Sequence, residues 1–254
     1  MLKRYRIYYH LQRFRQERHC KVDYSLTDRP DILDGLVKDG IVVIDNYLSR
    51  ELCETIIEEL QKTADDVLRG KAKETDDLFY LRQKAFRIAF ADEISQTAKQ
   101  KFFDDSMIIN LARAYISEQA FSYRREADYK IESGHFLASD LPHFDDWRHK
   151  FKAFLYLTDV GEENAPFAYY KGSHRQLRWR YRYNLEYEMD GETGRFGHFF
   201  PQEITVIAKE KNFEELICTG KTGTLILADF RGIHRGTSLM RGKRIMLNNT
   251  FAGF

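Results

Sequence analysis

Cysteine is scarce in this 254-residue chain. Cys20, Cys53 and Cys218 are too far apart for a CxxC metal site and too few for a disulfide framework, which excludes the small disulfide-stapled classes and suits a reducing compartment. Proline occurs only four times, so no Pro-rich linker divides the chain, and neither an internal repeat nor a low-complexity tract breaks it. An excess of one charge is lacking too: 40 Lys and Arg stand against 39 Asp and Glu. That balance removes any whole-protein argument for nucleic acid or an anionic membrane. No apolar run approaches the ~18 residues of a membrane span, and the basic start MLKRYRIYYHLQRFRQ has no signal-peptide apolar stretch. The expectation is a cytoplasmic, soluble protein, with residues 1–254 forming one globular unit.

What is present falls into two textures. Residues 1–20 interleave six Lys or Arg with aromatic and aliphatic residues, a basic amphipathic pattern that either packs its aromatic side on the domain or makes peripheral contact with an anionic surface. Gly40 to Asp45 reads as a short buried strand. Ser49 is a natural N-cap for a helix carrying Leu52, Ile56, Ile57 and Leu60 on one face. A second helical pattern runs from Ser106 to Ile116, so residues 1–119 read as mainly helical. From about 120 onward short β-rich runs take over: Phe151–Leu157, Ala165–Tyr170, Thr224–Ala228 and Ile245–Phe251. Strands following helices imply an α+β architecture.

The chemistry concentrates in the second half. Pro142-His143-Phe144-Asp145 contains an HxD step, and in extended backbone residues two apart point the same way, so imidazole and carboxylate can reach one metal. A further histidine, His234, follows the apolar run Thr224–Ala228. Two histidines and one carboxylate leave three open positions on one face of a metal, the arrangement that suits non-haem Fe(II) when co-substrate and O2 must both bind. Asp146 is a rival ligand that an extended segment would point the other way. Ten positions after His234 stands Arg244, with Arg241-Gly242-Lys243 between them suggesting a tight turn. A hairpin there would set Arg244 beside His234, where its guanidinium could hold the far carboxylate of a 2-oxo dicarboxylate chelating the iron.

Together, HFDD at 143–146, the strand Phe154–Asp159, the Gly172-Ser173-His174-Arg175 turn and HRGTSLMRGKR at 234–244 resemble the phytanoyl-CoA dioxygenase family. The similarity is clear over about 120–254 and looser at 39–49. The resemblance implies a double-stranded β-helix, a cupin-like jelly-roll, with the helical N-terminal half packed on it. It implies Fe(II) on His143, Asp145 and His234, the 2-oxoglutarate 5-carboxylate on Arg244, Thr237 assisting that arginine, and Phe154 standing where the family carries a co-substrate-flanking Trp. Lys171 replaces a customary Pro. Because Asp145 is kept, hydroxylation or another oxidation is favoured over halogenation. The activity implied is Fe(II)- and 2-oxoglutarate-dependent hydroxylation, with O2 consumed and succinate and CO2 released; the resemblance does not choose the substrate, and it is the Arg-rich segment from His174 to Tyr183 that tilts the reading toward a small or carrier-borne molecule, anionic or sugar-containing.

Two other readings compete: a cupin-like hydrolase or isomerase using Zn or Mn, and an inactive jelly-roll module binding glycan or nucleic acid. The segment from His174 to Tyr183 interleaves four Arg with three aromatics and can serve as a substrate grip or as a solvated arm. His135 and His149 have no ligand spacing, His174 reads as a turn residue bonding backbone or a neighbour, and His10, His19 and His198 carry no signal.

Overall fold

The alternation of side chains along the strands sets the architecture. The computed structural model describes residues 22–70, 85–131, 138–145, 149–175 and 198–253. Six strands form the larger sheet: β1 (Ile41–Ile44), β2 (Ala85–Ala89), β3 (Phe121–Lys130), β4 (Lys150–Tyr156), β7 (Leu225–Asp229) and β9 (Arg244–Ala252). Their spatial order is β1-β7-β4-β9-β3-β2, with antiparallel pairing throughout. A smaller sheet has the order β6-β5-β8, from β5 (Phe167–Lys171), β6 (Glu214–Cys218) and β8 (His234–Arg235). Isolated bridges from His143 to both His198 and His234 extend it. The result is a jelly-roll of the double-stranded β-helix type with helices against it, as the resemblance implies.

The two faces of the larger sheet differ in chemistry. Phe151, Ala153 and Leu155 of β4, Leu225 and Leu227 of β7, and Ile245, Leu247 and Phe251 of β9 join one buried cluster with the helices. Burying each such large side chain contributes about 1.5–3 kcal/mol. The alternate residues turn to the other face. Register sets Lys130 opposite Arg244, Asp128 opposite both Arg87 and Met246, and Phe154 opposite both Asn248 and Ile226. One face is therefore an apolar floor for helices, while the other is a charged and aromatic surface facing the small sheet.

The helices pack where their apolar spacing directs. Helix α1 (Pro30–Asp39) begins with Pro30 in its first turn and ends at Gly40, whose φ of 78° suits glycine and whose N–H donates to the Leu36 carbonyl. Helix α2 (Arg50–Leu68) is capped by Ser49, whose hydroxyl accepts from the Leu52 N–H at 3.3 Å. It buries Cys53, Ile56, Leu60, Ala64 and Val67. Helix α3 (Ser106–Tyr115), capped by Asp105, buries Ile108, Leu111, Ala112 and Tyr115. A fourth helix, α4 (Pro201–Lys211), precedes β6. No helix among the described residues is long and apolar enough to cross a membrane.

The first half supplies the expected strand, β1, and also β2, the two edge strands of the larger sheet. One expectation needs correction. Arg244 and His234 do not form a hairpin: β8 belongs to the small sheet and β9 to the large one. The Gly242 turn exists, with φ of 71°, but it carries the chain from one sheet to the other. The basic N-terminal segment, His135, Asp146 and the stretch from Gln176 to Tyr183 lie outside the described residues.

Candidate metal centre

His143 and His234 are brought together by backbone bonding. Each donates its N–H to the other's carbonyl at 2.8 Å, the reciprocal pattern of a hydrogen-bonded antiparallel pair, which puts both side chains on one face. Their ring centroids lie 4.5 Å apart. Each ring is then oriented by the same local device: His143 Nδ1 meets the Leu141 carbonyl at 2.8 Å, and His234 Nδ1 meets the Gly232 carbonyl at 2.9 Å. A carbonyl can only accept, so each Nδ1 carries the proton and each Nε2 presents a lone pair.

Asp145, two residues beyond His143, completes the group. Its Oδ1 is 3.6 Å from His143 Nε2 and 3.4 Å from His234 Nε2, and one ligand atom from each of the three residues lies within 4.8 Å of the others. His234 Nε2 is buried and has no hydrogen-bond partner. Burial, with the neighbouring His143 next in weight, pushes the His234 pKa down to about 4, so the ring is neutral and ligand-ready near pH 7. Burial alone would raise the Asp145 pKa, but the Lys152 ammonium holds it well below the ordinary carboxylate range. Two lone pairs and an anionic oxygen converging in a partly buried space are mutually repulsive unless a cation joins them. The residues fit a metal ion.

The cleft beside this group is lined from the opposite sheet by Arg87, Asp128, Lys130, Lys152, Phe154 and Arg244, among others. Arg244 is buried: its Nη2 donates to Asp128 Oδ1 at 2.8 Å and its Nη1 to the Ala165 carbonyl, while its Nε is buried without a partner. Phe154 packs against Phe167 and Phe230, with centroids at 5.2 and 5.5 Å. Thr237 is placed differently. Its hydroxyl donates to the Pro166 carbonyl at 2.8 Å, and its own carbonyl accepts from Lys130 Nζ; it is not among the cleft-lining residues.

Several residues near the site gave no signal in the sequence. His198 stacks on His143 at 5.0 Å, 21° from parallel. Lys152 Nζ lies 2.6 Å from Asp145 Oδ2. Arg87 reaches Asp128 from β2. The period-2 alternation that places Phe154 also places Lys152, and that which places Arg244 also places Asn248, so the cleft side of each strand follows from one assigned residue. His174 behaves as a turn residue, its Nε2 3.2 Å from the Val37 carbonyl. His149 is drawn into a buried network with Arg231.

The fold and this site together define a jelly-roll protein with a two-histidine, one-carboxylate centre and a basic cleft. The chain belongs to the phytanoyl-CoA dioxygenase (PhyH) family, whose model matches residues 36–239; it is an enzyme of the Fe(II)- and 2-oxoglutarate-dependent oxygenase type. Solved structures of similar fold include EctD from S. alaskensis, 16% identical, covering 89% of this chain and 77% of that one with a TM-score of 0.60. AviO1 from Streptomyces viridochromogenes Tue57 is 13% identical, with coverage of 89% and 95% and a TM-score of 0.59. The epimerase SnoN in complex with Fe3+, alpha ketoglutarate and nogalamycin RO is 15% identical, with coverage of 88% and 82% and a TM-score of 0.57. No curated protein matches the chain.

Proposed function

We propose that this protein is a 2-oxoglutarate-dependent hydroxylase of a small or carrier-borne substrate, holding Fe(II) on His143, Asp145 and His234. The observation that carries the reading is the convergence of two Nε2 lone pairs and one carboxylate oxygen, with both Nδ1 atoms already occupied by backbone carbonyls. Three protein ligands of this kind leave an octahedral ion with an open face. Arg244 would hold the far carboxylate of 2-oxoglutarate, since its buried Nε has a proton to donate and no acceptor. Phe154, packed between Phe167 and Phe230, would form an apolar wall beside the co-substrate and keep water from it.

When bound, iron with 2-oxoglutarate and O2 supplies the oxidation of a substrate C–H bond, the co-substrate leaving as succinate and CO2. The chain's own residues orient and shield. The similar folds include an epimerase, so the fold does not choose hydroxylation; the intact carboxylate ligand Asp145 favours it over halogenation. Arg87, Lys130, Lys152 and Arg244 outnumber Asp128 and Asp145 on the cleft, and that cationic excess favours a substrate with anionic groups.

Anaerobic titration with Fe(II) and then 2-oxoglutarate tests the assignment. A weak visible charge-transfer band near ~500 nm is expected when a 2-oxo acid chelates non-haem iron. Arg244→Ala should require at least about tenfold more co-substrate to develop the band, the loss expected when a charge-assisted pair is removed. Iron bound without any band in the wild type would defeat the reading, and no iron bound at all would make the jelly-roll a binding module.

A further inference from the structure

The two oxygens of Asp145 have different surroundings. Oδ1 faces the two histidine Nε2 atoms at 3.6 and 3.4 Å. Oδ2 is engaged by Lys152 Nζ at 2.6 Å. We propose that Lys152 is a positioning residue that commits Asp145 to binding the metal through one oxygen, keeping open the positions that co-substrate and O2 need. The proposal rests on the oxygenase reading above.

A carboxylate free to swing can take a divalent cation through either one oxygen or both. In a three-ligand centre a second carboxylate oxygen would fill one of the three remaining octahedral positions. A bidentate 2-oxo acid anchored at Arg244 needs a particular two of those three, so a second Asp145 oxygen would have to be displaced before it bound. A charge-assisted hydrogen bond to the outer oxygen is a direct way to prevent the swing.

Lys152 is held for this task. It stands on β4 opposite Ala228 on one side and Thr250 on the other, its side chain is 16% exposed, and its ammonium lies 3.8 Å over the Phe230 ring. Phe230 in turn packs on the His234 imidazole, with centroids 4.0 Å apart. Lys152 therefore touches the carboxylate ligand directly and the second histidine through one ring. Its charge gives it a signature of its own. An ammonium beside a divalent cation opposes metal binding by Coulomb repulsion, so a lysine whose role was to strengthen metal binding would be misplaced here.

The test compares Lys152→Met, Lys152→Gln and Lys152→Arg with the wild type, reading metal affinity calorimetrically and 2-oxoglutarate affinity from the charge-transfer band. Lys152→Met should bind metal as tightly as the wild type or more tightly, yet lose about tenfold or more in 2-oxoglutarate affinity, the scale on which groups supporting a metal ligand act. Lys152→Gln, uncharged but still a donor, should recover most of that loss, and so should Lys152→Arg. A Met variant that binds 2-oxoglutarate normally overturns the proposal. So does a Gln variant as weak as Met, which would mean attraction by charge, or a folded Met variant that has lost the metal. If Lys152→Met does not fold, by circular dichroism and melting, the Gln variant decides alone: near wild-type affinity supports the role and a tenfold loss overturns it. A wild type without the band would instead defeat the oxygenase reading itself.

Discussion

At the scale of single residues, the best-defined polar feature outside the metal centre is Asp229. It is fully buried and takes three hydrogen bonds from the Arg231 guanidinium, from Nη2 at 2.6 Å and from Nε at 3.0 and 3.1 Å, along with the Arg231 backbone N–H at 2.8 Å and the Tyr115 hydroxyl at 2.7 Å. Removing one partner of such a pair leaves the other charge uncompensated, so Asp229→Asn should lose about 3–5 kcal/mol in urea denaturation. A loss under 1 kcal/mol would mean that Arg231 finds another acceptor. Arg231 Nη1 also bonds His149 Nε2, which must accept and is therefore unprotonated. Burial, then the Arg231 charge, pushes the His149 pKa down to about 3, against 6.5 for an ordinary histidine. The unfolded chain thus binds more protons here between those values, and stability falls as pH drops below ~6.5, with the loss complete below ~3. His234, at about 4, acts in the same direction in the metal-free protein. Melting temperature followed from pH 7.5 to 4 should decline on the acid side, and His149→Gln should make that decline shallower. An unchanged slope would show that His149 is not buried neutral.

At the scale of elements, the loop from Asp229 to His234 transmits packing to the metal centre. Gly232 donates its N–H to the Asp229 carbonyl at 3.0 Å, and its own carbonyl orients His234 Nδ1. A Cβ at Gly232 would overlap the Tyr169 hydroxyl, which donates to the Asp229 carbonyl at 2.9 Å. Gly232→Ala should therefore cost about 1–3 kcal/mol from overpacking and weaken metal binding about 10–100-fold through the displaced carbonyl; calorimetric metal titration of the folded variant checks the second effect. Normal metal affinity would show that the imidazole keeps its orientation without that carbonyl. Nothing in GIHRG announces this constraint, because the crowding comes from β5. Elsewhere local chemistry was enough: HxD in extended backbone, Ser49 as a cap and the apolar face of α2 are short-range properties and were legible. The hairpin expected around Gly242 was not, since a glycine turn reports that the chain reverses but not which sheet it enters. Strand β2, with sequence AFRIA, is five residues long and among the described residues pairs only with β3, and Arg87 in its centre reads as solvent-facing until Asp128 is placed opposite. Charged residues on β3 and β4 were missed for the same reason: a cleft between two sheets looks, along one strand, like an exposed face.

At the scale of the whole molecule, the centre is divided between the sheets. His143 and His234 belong to the extended small sheet, whereas Lys152, Phe154 and Arg244 come from the large one. A metal bound by the histidines and a dicarboxylate reaching from it to Arg244 would tie the two layers together, so both ligands should stabilise the native state, and neither should bind the unfolded chain comparably. At a hundredfold excess over its dissociation constant a ligand adds about 2.7 kcal/mol, which for a chain of this size corresponds to a rise of about 5–10 °C in melting temperature. The order of addition carries the argument. Metal alone should raise the midpoint in the wild type and in Arg244→Ala, but not in Asp145→Ala. 2-Oxoglutarate should add a further rise only after metal, because one end of it has no anchor otherwise, and Arg244→Ala should lose that second increment while keeping the first. Anaerobic scanning calorimetry of the three proteins under four ligand conditions measures every term. If 2-oxoglutarate stabilised the metal-free protein as much as the loaded one, its site would lie wholly on the basic face of the large sheet, and the division of labour between the two sheets would be wrong.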